Sequence, residues 1–501
     1  MKSILTSLLF CLALTATVSG QSRLQTATNI GLGGGGTAYV DSYDANFLNP
    51  ANIMLRNDRK TKISFGLLGV GVSAGGPLAN IGTYNQYLTK GLTLTGDMSA
   101  EMLDAWFGTD PSASRSVGID VSITDLGVAY QHSNWAASLA IRQRVLTNIG
   151  VNRGLPEVFF HGLDPAVFGS GRAVNMNMDV VAFSEVSLGY AMHVTDLFGA
   201  KIIAGVAPKI LMGHNTQRLD FKSTITANNG NFRQDYDYTI QTLGSMADGL
   251  DEYIIQRNST PDGQKGPEIG DFIEFDAGDF AGIQTTGLGL DIGATAIWKA
   301  DFIPIPQWGF LRGDRQLTVG LSITDIGKLN FKDASQFSNR DVVFYDGFNY
   351  DTELIDEEFD GDFGSYAESV FKDSIGVERY LDFSKDGSAS VSRALPTTLN
   401  LGTHLKMGRL GVMLDLGAGF NSTGVNSKRA YMALGTEYKL FGFWPLRVGL
   451  RTGGYSNATY HFGTGLEFRN FEFSFGAASS SSSKENGAGI STAFSGLMFH
   501  F

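Results

Sequence analysis

Over most of this chain, apolar residues alternate with small or polar ones in runs of about 10 to 16 residues. Leu288, Leu290, Ile292, Ala294, Ala296 and Trp298 share one parity, against Gly287, Gly289, Asp291, Gly293 and Thr295 on the other. Tyr460, Phe462, Thr464, Leu466 and Phe468 likewise oppose His461, Gly463, Gly465, Glu467 and Arg469, and Phe471, Phe473, Phe475 and Ala477 oppose Glu472, Ser474 and Gly476. A period of two sends successive side chains to opposite faces of a sheet, so these runs are strands. Alternation alone does not distinguish a soluble sandwich from a membrane barrel, but length does. Soluble strands usually run to about 5 or 6 residues, whereas a tilted strand needs roughly 9 to 11 to cross a bilayer.

Fourteen such segments can be marked, at residues 60–74, 119–130, 134–147, 178–191, 200–213, 283–299, 316–326, 397–407, 410–420, 429–440, 446–455, 459–469, 470–478 and 490–501. Their connections sort by parity. The long ones, 75–118, 148–177, 214–282 and 327–396, follow odd-numbered segments, and those after even-numbered segments are mostly tight, as at 131–133, 192–199, 408–409 and 441–445. Residues 300–315, with Pro304 and Pro306, break the trend. Outer-membrane barrels have short periplasmic turns, long outer loops and, in bacterial single chains, an even strand number. The expected fold is therefore all-β: a transmembrane barrel of about 14 antiparallel strands over residues 60–501, with the four long connections outside the cell.

Both ends of the chain fit that address. Residues 1–20 have a positive start at Lys2, an apolar stretch from Ile4 to Val18 and the small residues Val18-Ser19-Gly20, the layout of a cleaved secretory signal. The single Cys, Cys11, lies inside that stretch behind the bulky Phe10, which does not suit a lipid-attachment site, so the mature chain carries no cysteine. Beyond the signal no run of about 20 apolar residues occurs, so no helix is expected to span a bilayer. The last segment, ending Leu497-Met-Phe-His-Phe501, closes on an aromatic in the manner of a client of the barrel-assembly machinery. Glycine (63 residues) and aromatics (11%) are abundant while charged residues reach 18%, which argues against disorder. With a net charge of −12 and no basic cluster beside aromatics, nucleic acid is not an expected partner; outer-membrane lipid is.

Between the signal and the first strand, residues 21–59 contain Gly33, Gly34, Gly35 and Gly36, then Ala38, Asp41 and Asp44, then Asn49-Pro50-Ala51. The formal G-x-G-x-x-G at Gly31, Gly33 and Gly36 lacks the preceding buried strand that a dinucleotide loop needs. Tyr39, Tyr43, Phe47, Leu48, Ile53, Met54 and Leu55 make a flexible tail a poor account of the segment, and a packed plug a better one. This arrangement resembles the start of the outer-membrane long-chain fatty acid transporter family, the FadL-like barrels, together with related barrels of unassigned function and a secretion-associated branch. The resemblance implies a fourteen-stranded barrel whose N-terminal segment folds inward as a hatch, with hydrophobic ligands captured outside and released sideways through the wall.

Projecting the alternation inward places Asp415, Glu437, Arg447, Arg451, Glu467 and Arg469 in the lumen, with Arg142 and Arg144 as a second cationic pair. Such charges form structural ion pairs, or an arginine grips the carboxylate of an amphipathic ligand, which a guanidinium fork matches. Pro208, in the middle of Ile202 to Leu211, cannot donate to a ladder; it marks either a lateral opening or a tolerated bulge. The acidic run Asp356 to Asp362 lacks EF-hand spacing and reads as a solvated outer loop. Phe344, Tyr345, Phe348, Tyr350, Phe359, Phe363 and Tyr366 around it suggest a loop folded over the barrel mouth. The seven His are scattered without metal spacing, and no catalytic set, metal or cofactor is expected. The leading expectation is passive uptake of hydrophobic or amphipathic small molecules. The alternatives are a non-transporting barrel that anchors protein partners and, third, a barrel enzyme acting on lipid.

Overall fold

The computed structural model describes residues 26–55, 62–83, 86–87, 96–228, 230–261, 267–272, 282–303, 309–348, 377–454, 456–481 and 488–501. The first five wall strands are β1 (Ile63–Gly76), β2 (Ser114–Gln131), β3 (Trp135–Asn152), β4 (Arg172–Leu197) and β5 (Ala200–Asn228). Then come β6 (Thr285–Lys299), β7 (Arg315–Phe348), β8 (Thr398–Met407), β9 (Leu410–Gly419) and β10 (Tyr431–Leu440). The wall ends with β11 (Trp444–Gly453), β12 (Ser456–Glu467), β13 (Phe471–Ser481) and β14, in two pieces, Ala488–Phe494 and Leu497–His500. Each pairs antiparallel with its neighbours in sequence, and β14 returns to β1 with Thr492 opposite Val72 and His500 opposite Ser64, which closes the ring. All fourteen sequence segments coincide with these strands.

The faces are inverted relative to a soluble sheet. On β8, Thr398, Asn400 and His404 are buried, while Leu399 and Leu401 are 38% and 41% exposed. Leu188, Val206, Leu288, Leu321, Leu434, Val448, Phe462 and Phe475 are exposed in the same way. A closed ring leaves no unpaired strand edge in hydrocarbon, and an apolar outside with a polar inside is the solution lipid demands. No helix among the described residues is long and apolar enough to cross a membrane. Near the tight turns, Trp135 packs 5.6 Å from Tyr130 and 6.3 Å from Tyr190, and Phe443 lies 5.2 Å from Phe468, forming the aromatic girdle expected at the interface. The protein is a multi-pass β-barrel of the bacterial outer membrane.

Pairing continues past the expected limits on the outer side. β5 runs for 29 residues and β7 for 34, so residues 214–282 and 327–396 are partly sheet. A further strand, Gly230–Thr242, bridges the outer halves of β5 and β7, and Ser384–Ala394 pairs with β7. The helix Ser245–Ser259 packs there too, and Phe168, Phe232, Tyr236, Leu250, Tyr253, Phe337 and Phe383 make a small apolar core that holds these extensions together. Residues 1–20, the run Asp356 to Asp362, and Tyr350, Phe359, Phe363 and Tyr366 lie outside the described residues.

Residues 26–55 lie within the ring as a short helix, Ala27–Gly31, and two 3-10 turns, Ser42–Phe47 and Pro50–Met54, nearly all buried. The wall is glycine where they touch it. A Cβ on Gly205 would stand 2.2 Å from the Ala51 nitrogen, and one on Gly463 would stand 2.8 Å from the Gly31 Cα. Glycine at these inward positions allows backbone to approach backbone.

Candidate functional site

The N-terminal segment is tied to strands around the ring. The Asp415 carboxylate on β9 accepts from the Gly36 and Thr37 amides at 3.0 and 2.9 Å, and Gly35 sits so close that a Cβ would come 2.5 Å from Asp415 Oδ2. Gly33, Gly34 and Gly36 have φ of +81°, +75° and +102°, which explains the glycine run: the loop turns in the left-handed region to point its amides at one carboxylate. Asn49 donates to Thr37 O at 2.9 Å and to Thr295 Oγ1 on β6 at 3.0 Å, while its own carbonyl accepts from the Ala51 amide; Pro50 opens the following 3-10 turn. Tyr39 donates to Glu437 at 2.7 Å, Ser322 donates to Leu48 O at 2.6 Å, and Gln131 donates to Leu55 O at 2.9 Å. Asp41 immediately precedes the Ser42–Phe47 turn. Asp44, within that turn, is buried; burial first, then nearby Glu472, pushes its carboxyl up to about 7 against the pull of Arg142.

One ionic network spans β2 to β7. Lys209 lies 2.7 Å from Asp291, 2.5 Å from Asp325 and 3.5 Å from Glu185; Arg144 lies 2.7 Å from Asp325 and 3.3 Å from Asp120; Arg142 pairs with Glu185. All seven side chains are at most 2% exposed. Phe47 of the N-terminal segment lies against this network, its ring 3.8 Å from the Arg142 guanidinium carbon and 5.3 Å from the Lys209 ammonium. Lys209, Glu185, Asp120 and Asp325 were not singled out by sequence. The readable signal is their inward parity, but only the register brings six strands' charges together.

A second network joins β10, β11 and β12. Arg447 lies 2.7 Å from Glu437 and 2.5 Å from Glu467, and donates to Ser474 at 3.0 Å; Lys439 lies 2.8 Å from Glu467. Arg451 differs. Its guanidinium carbon sits 3.9 Å over the Tyr431 ring, and its buried Nε and Nη2 have no hydrogen-bond partner among the described residues. Arg469 departs from its expected inward place: β12 ends at Glu467, so Arg469 falls in the turn and is exposed.

Outward along the same inner faces the lumen turns apolar. Arg144 is followed by Leu146, Glu185 is preceded by Phe183 and Val181, and Lys209 is followed by Leu211; all four apolar side chains are buried and join Leu329, Phe331, Val391 and Leu395 in one cluster. Beside it lies a cavity of about 380 Å³ lined by Leu146, Val181, Asn148, Asn177, Arg393 and Ser422, among others. Its size and mixed lining suit a small amphipathic molecule.

At Pro208 the β4–β5 ladder lapses. Ser187 pairs with Lys209 and Tyr190 with Val206, with two positions unpaired between and the register unchanged, while on the other side Pro208 still stands opposite Leu290. The proline thus removes hydrogen bonds without a bulge. Ser64 Oγ lies 2.9 Å from His500 Nδ1, and His500 Nε2 lies 3.6 Å from Glu472; this row ties the β1–β14 seam. Among the described residues no cluster of three potential metal ligands occurs.

The model of a family described as "Family of unknown function (DUF5723)" matches residues 41–479. No curated protein matches the chain. Among solved structures, a deltaS2S3 mutant of TodX, titled a monoaromatic hydrocarbon channel, is similar at 12% identity with a TM-score of 0.48, over 95% of this chain and 99% of that one. The Pseudomonas putida toluene transporter TodX is similar at 10% identity with a TM-score of 0.45, over 96% and 98% of the two chains. A Pseudomonas aeruginosa FadL homologue is similar at 11% identity with a TM-score of 0.44, over 97% and 100%.

Proposed function

This chain belongs to the DUF5723 family, and from its own geometry we propose that it is a passive outer-membrane channel for hydrophobic or amphipathic small molecules, closed by its N-terminal segment. The observation that carries this reading is the change of lining along the lumen. A water-filled pore is polar throughout, whereas here the outer half presents Leu146, Val181, Phe183, Leu211 and Phe331 beside a cavity. Residues 26–55 then fill the space beyond, held by Asp415, Glu437 and Thr295. In this scheme an apolar compound enters through the outer cluster, and displacement of the segment opens the way onward. The lapse at Pro208 weakens the wall where the segment's Ala51 backs β5 at Gly205, which suits a sideways exit into lipid.

The test is uptake of a radiolabelled apolar compound by cells making the intact chain or one lacking residues 22–55. Passage that depends on the intact chain and changes in rate on deletion supports the reading. No passage through either form, with a stoichiometric protein co-purifying, would replace it with a scaffold. For the exit, Pro208→Val is expected to slow uptake by restoring the ladder, and unchanged uptake would discard that route.

A further inference from the structure

Beyond the membrane, the extended wall presents a polar face toward the barrel mouth. β5 carries a bulge at His214, with Phe183 opposite Gly213 and Ala182 opposite Asn215. The extra residue exchanges the two faces of the strand beyond it, so Thr216, Lys222 and Thr224 share the inward face with Val181, Asn177 and Asn175 of β4. The opposite face sends Val174, Ile225, Tyr236 and Val343 into the outer apolar core. On the inward face, register sets Asn175, Lys222, Asp237 and Arg340 in one row across four strands, with Thr224 and Asp235 side by side in the next. Both rows line an open groove of about 560 Å³. Opposite charges directly across a ladder usually attract and pair. Here the side chains of Asp237 and Arg340 make no ion pair or hydrogen bond among the described residues, and Lys222 reaches only Asp220 of its own strand, at 3.5 Å. Asp235 is already neutralised by Arg233, at 2.9 and 2.7 Å. The row is left open as cation, anion, cation.

We propose that this groove is a saccharide subsite, so that the amphiphile taken by the channel carries an uncharged glycosyl head. Donor and acceptor alternate along the row at the strand spacing of about 4.8 Å. A simple anion there meets the Asp237 carboxylate, and a simple cation meets Lys222 and Arg340 on either side. A sugar hydroxyl both donates and accepts, so a ring bearing several of them serves all three groups, and Thr224 adds a hydroxyl of its own. The same strand face leads inward. After Asn175 the next inward residues of β4 are Asn177 and Asp179, on the cavity of about 380 Å³, and then Val181 and Phe183 of the apolar cluster. Asn175 to Val181 is about 20 Å of strand, so a head held in the outer groove points its alkyl tail at the apolar lining. This inference rests on the channel reading above and names its ligand class.

The experiment compares decyl maltoside, decan-1-ol and decanoate, which share a tail and differ in the head, and maltose as the head alone. Each is dialysed to equilibrium, below its micelle-forming concentration, against the full-length protein held in amphipol. The wild type should bind decyl maltoside at least tenfold more tightly than the alcohol. Bound maltoside should also slow maleimide labelling of Thr224→Cys, an exposed position in the groove. Asp237→Ala and Arg340→Ala should each erase the preference and leave alcohol binding unchanged. Both side chains are exposed, so the barrel should keep its heat-dependent gel mobility. Equal binding of maltoside and alcohol, tighter binding of decanoate than of maltoside, or a preference that survives Asp237→Ala would overturn the saccharide subsite and leave the channel intact. Maltose binding as tightly as decyl maltoside would assign the groove to a free or surface glycan and overturn its link to the passage. Binding of none of the four would count against both readings.

Discussion

Asp415→Asn isolates the bond between the N-terminal segment and the wall. In the wild type one buried carboxylate accepts two backbone amides, from Gly36 at 3.0 Å and Thr37 at 2.9 Å. A hydrogen bond to a charged group contributes about 1.5–3 kcal/mol, against roughly 1 for a neutral one. The asparagine keeps one carbonyl acceptor and turns an NH₂ toward the other amide, so one charged bond disappears and the second becomes neutral. The net loss is about 2–5 kcal/mol, which raises the displaced population by about 30-fold at the low end and on the order of several thousand-fold at the high end. Ser42→Cys supplies the reporter. Ser42 is buried, its hydroxyl has no hydrogen-bond partner among the described residues, and the mature chain offers no other cysteine if the first twenty residues are removed, so the thiol reads opening of the segment at little structural cost. When closing is fast, the rate of maleimide labelling follows the open population. Labelling should therefore accelerate by that factor in Asp415→Asn, with the barrel still folded by its heat-dependent gel mobility. A rate within about twofold of the parent would refute the assignment of Asp415 as the anchor.

The same reporter reads a pH response. Asp44 has its carboxyl pushed from 3.8 to about 7 when the segment is in place, so that state holds the proton more tightly. Its contribution to docking is complete below about pH 4, is lost as pH rises through about 7, and is flat above. Labelling, normalised to an exposed cysteine, should be faster at pH 7.5 than at pH 5, and Asp44→Asn should flatten the difference. Lys209→Met strands Glu185, Asp291 and Asp325 without their shared cation. A loss of about 3–5 kcal/mol is expected, read as a lower urea midpoint of the folded barrel, with partial recovery when Asp291→Asn is added.

Strand number and strand position were legible because a bilayer imposes both a length and a parity. The same parity put Asp415, Glu437, Arg142 and Arg144 on the inward-facing set, and in the structure these side chains are buried. It failed at Arg469, because alternation does not say where a strand stops. It was also silent on the difference between Arg447 and Arg451, which share parity and spacing and differ only in what the neighbouring strands place opposite them. The Lys209 cluster was hidden for a related reason. Asp325 has φ of +54°, and the β6–β7 register shifts between Leu290 and Ile292, so the meeting of Asp291, Asp325 and Lys209 depends on irregularities that no period-two pattern contains. The outer extensions of β5 and β7 were read as loops because their partners, Gly230–Thr242 and Ser384–Ala394, lie outside the membrane, where no fixed length marks them.

The inverted faces of the wall underlie every step from fold to passage, and they can be measured directly. Nitroxides at Leu288, Leu434 and Phe462, which are 77%, 48% and 53% exposed, should collide with lipid-dissolved oxygen and be shielded from a water-soluble nickel chelate in reconstituted membranes. A nitroxide at Asn177, on the cavity wall, should show no such preference for oxygen. Nickel access at the three outward positions, or shielding from both reagents as in a dry protein core, would contradict the account.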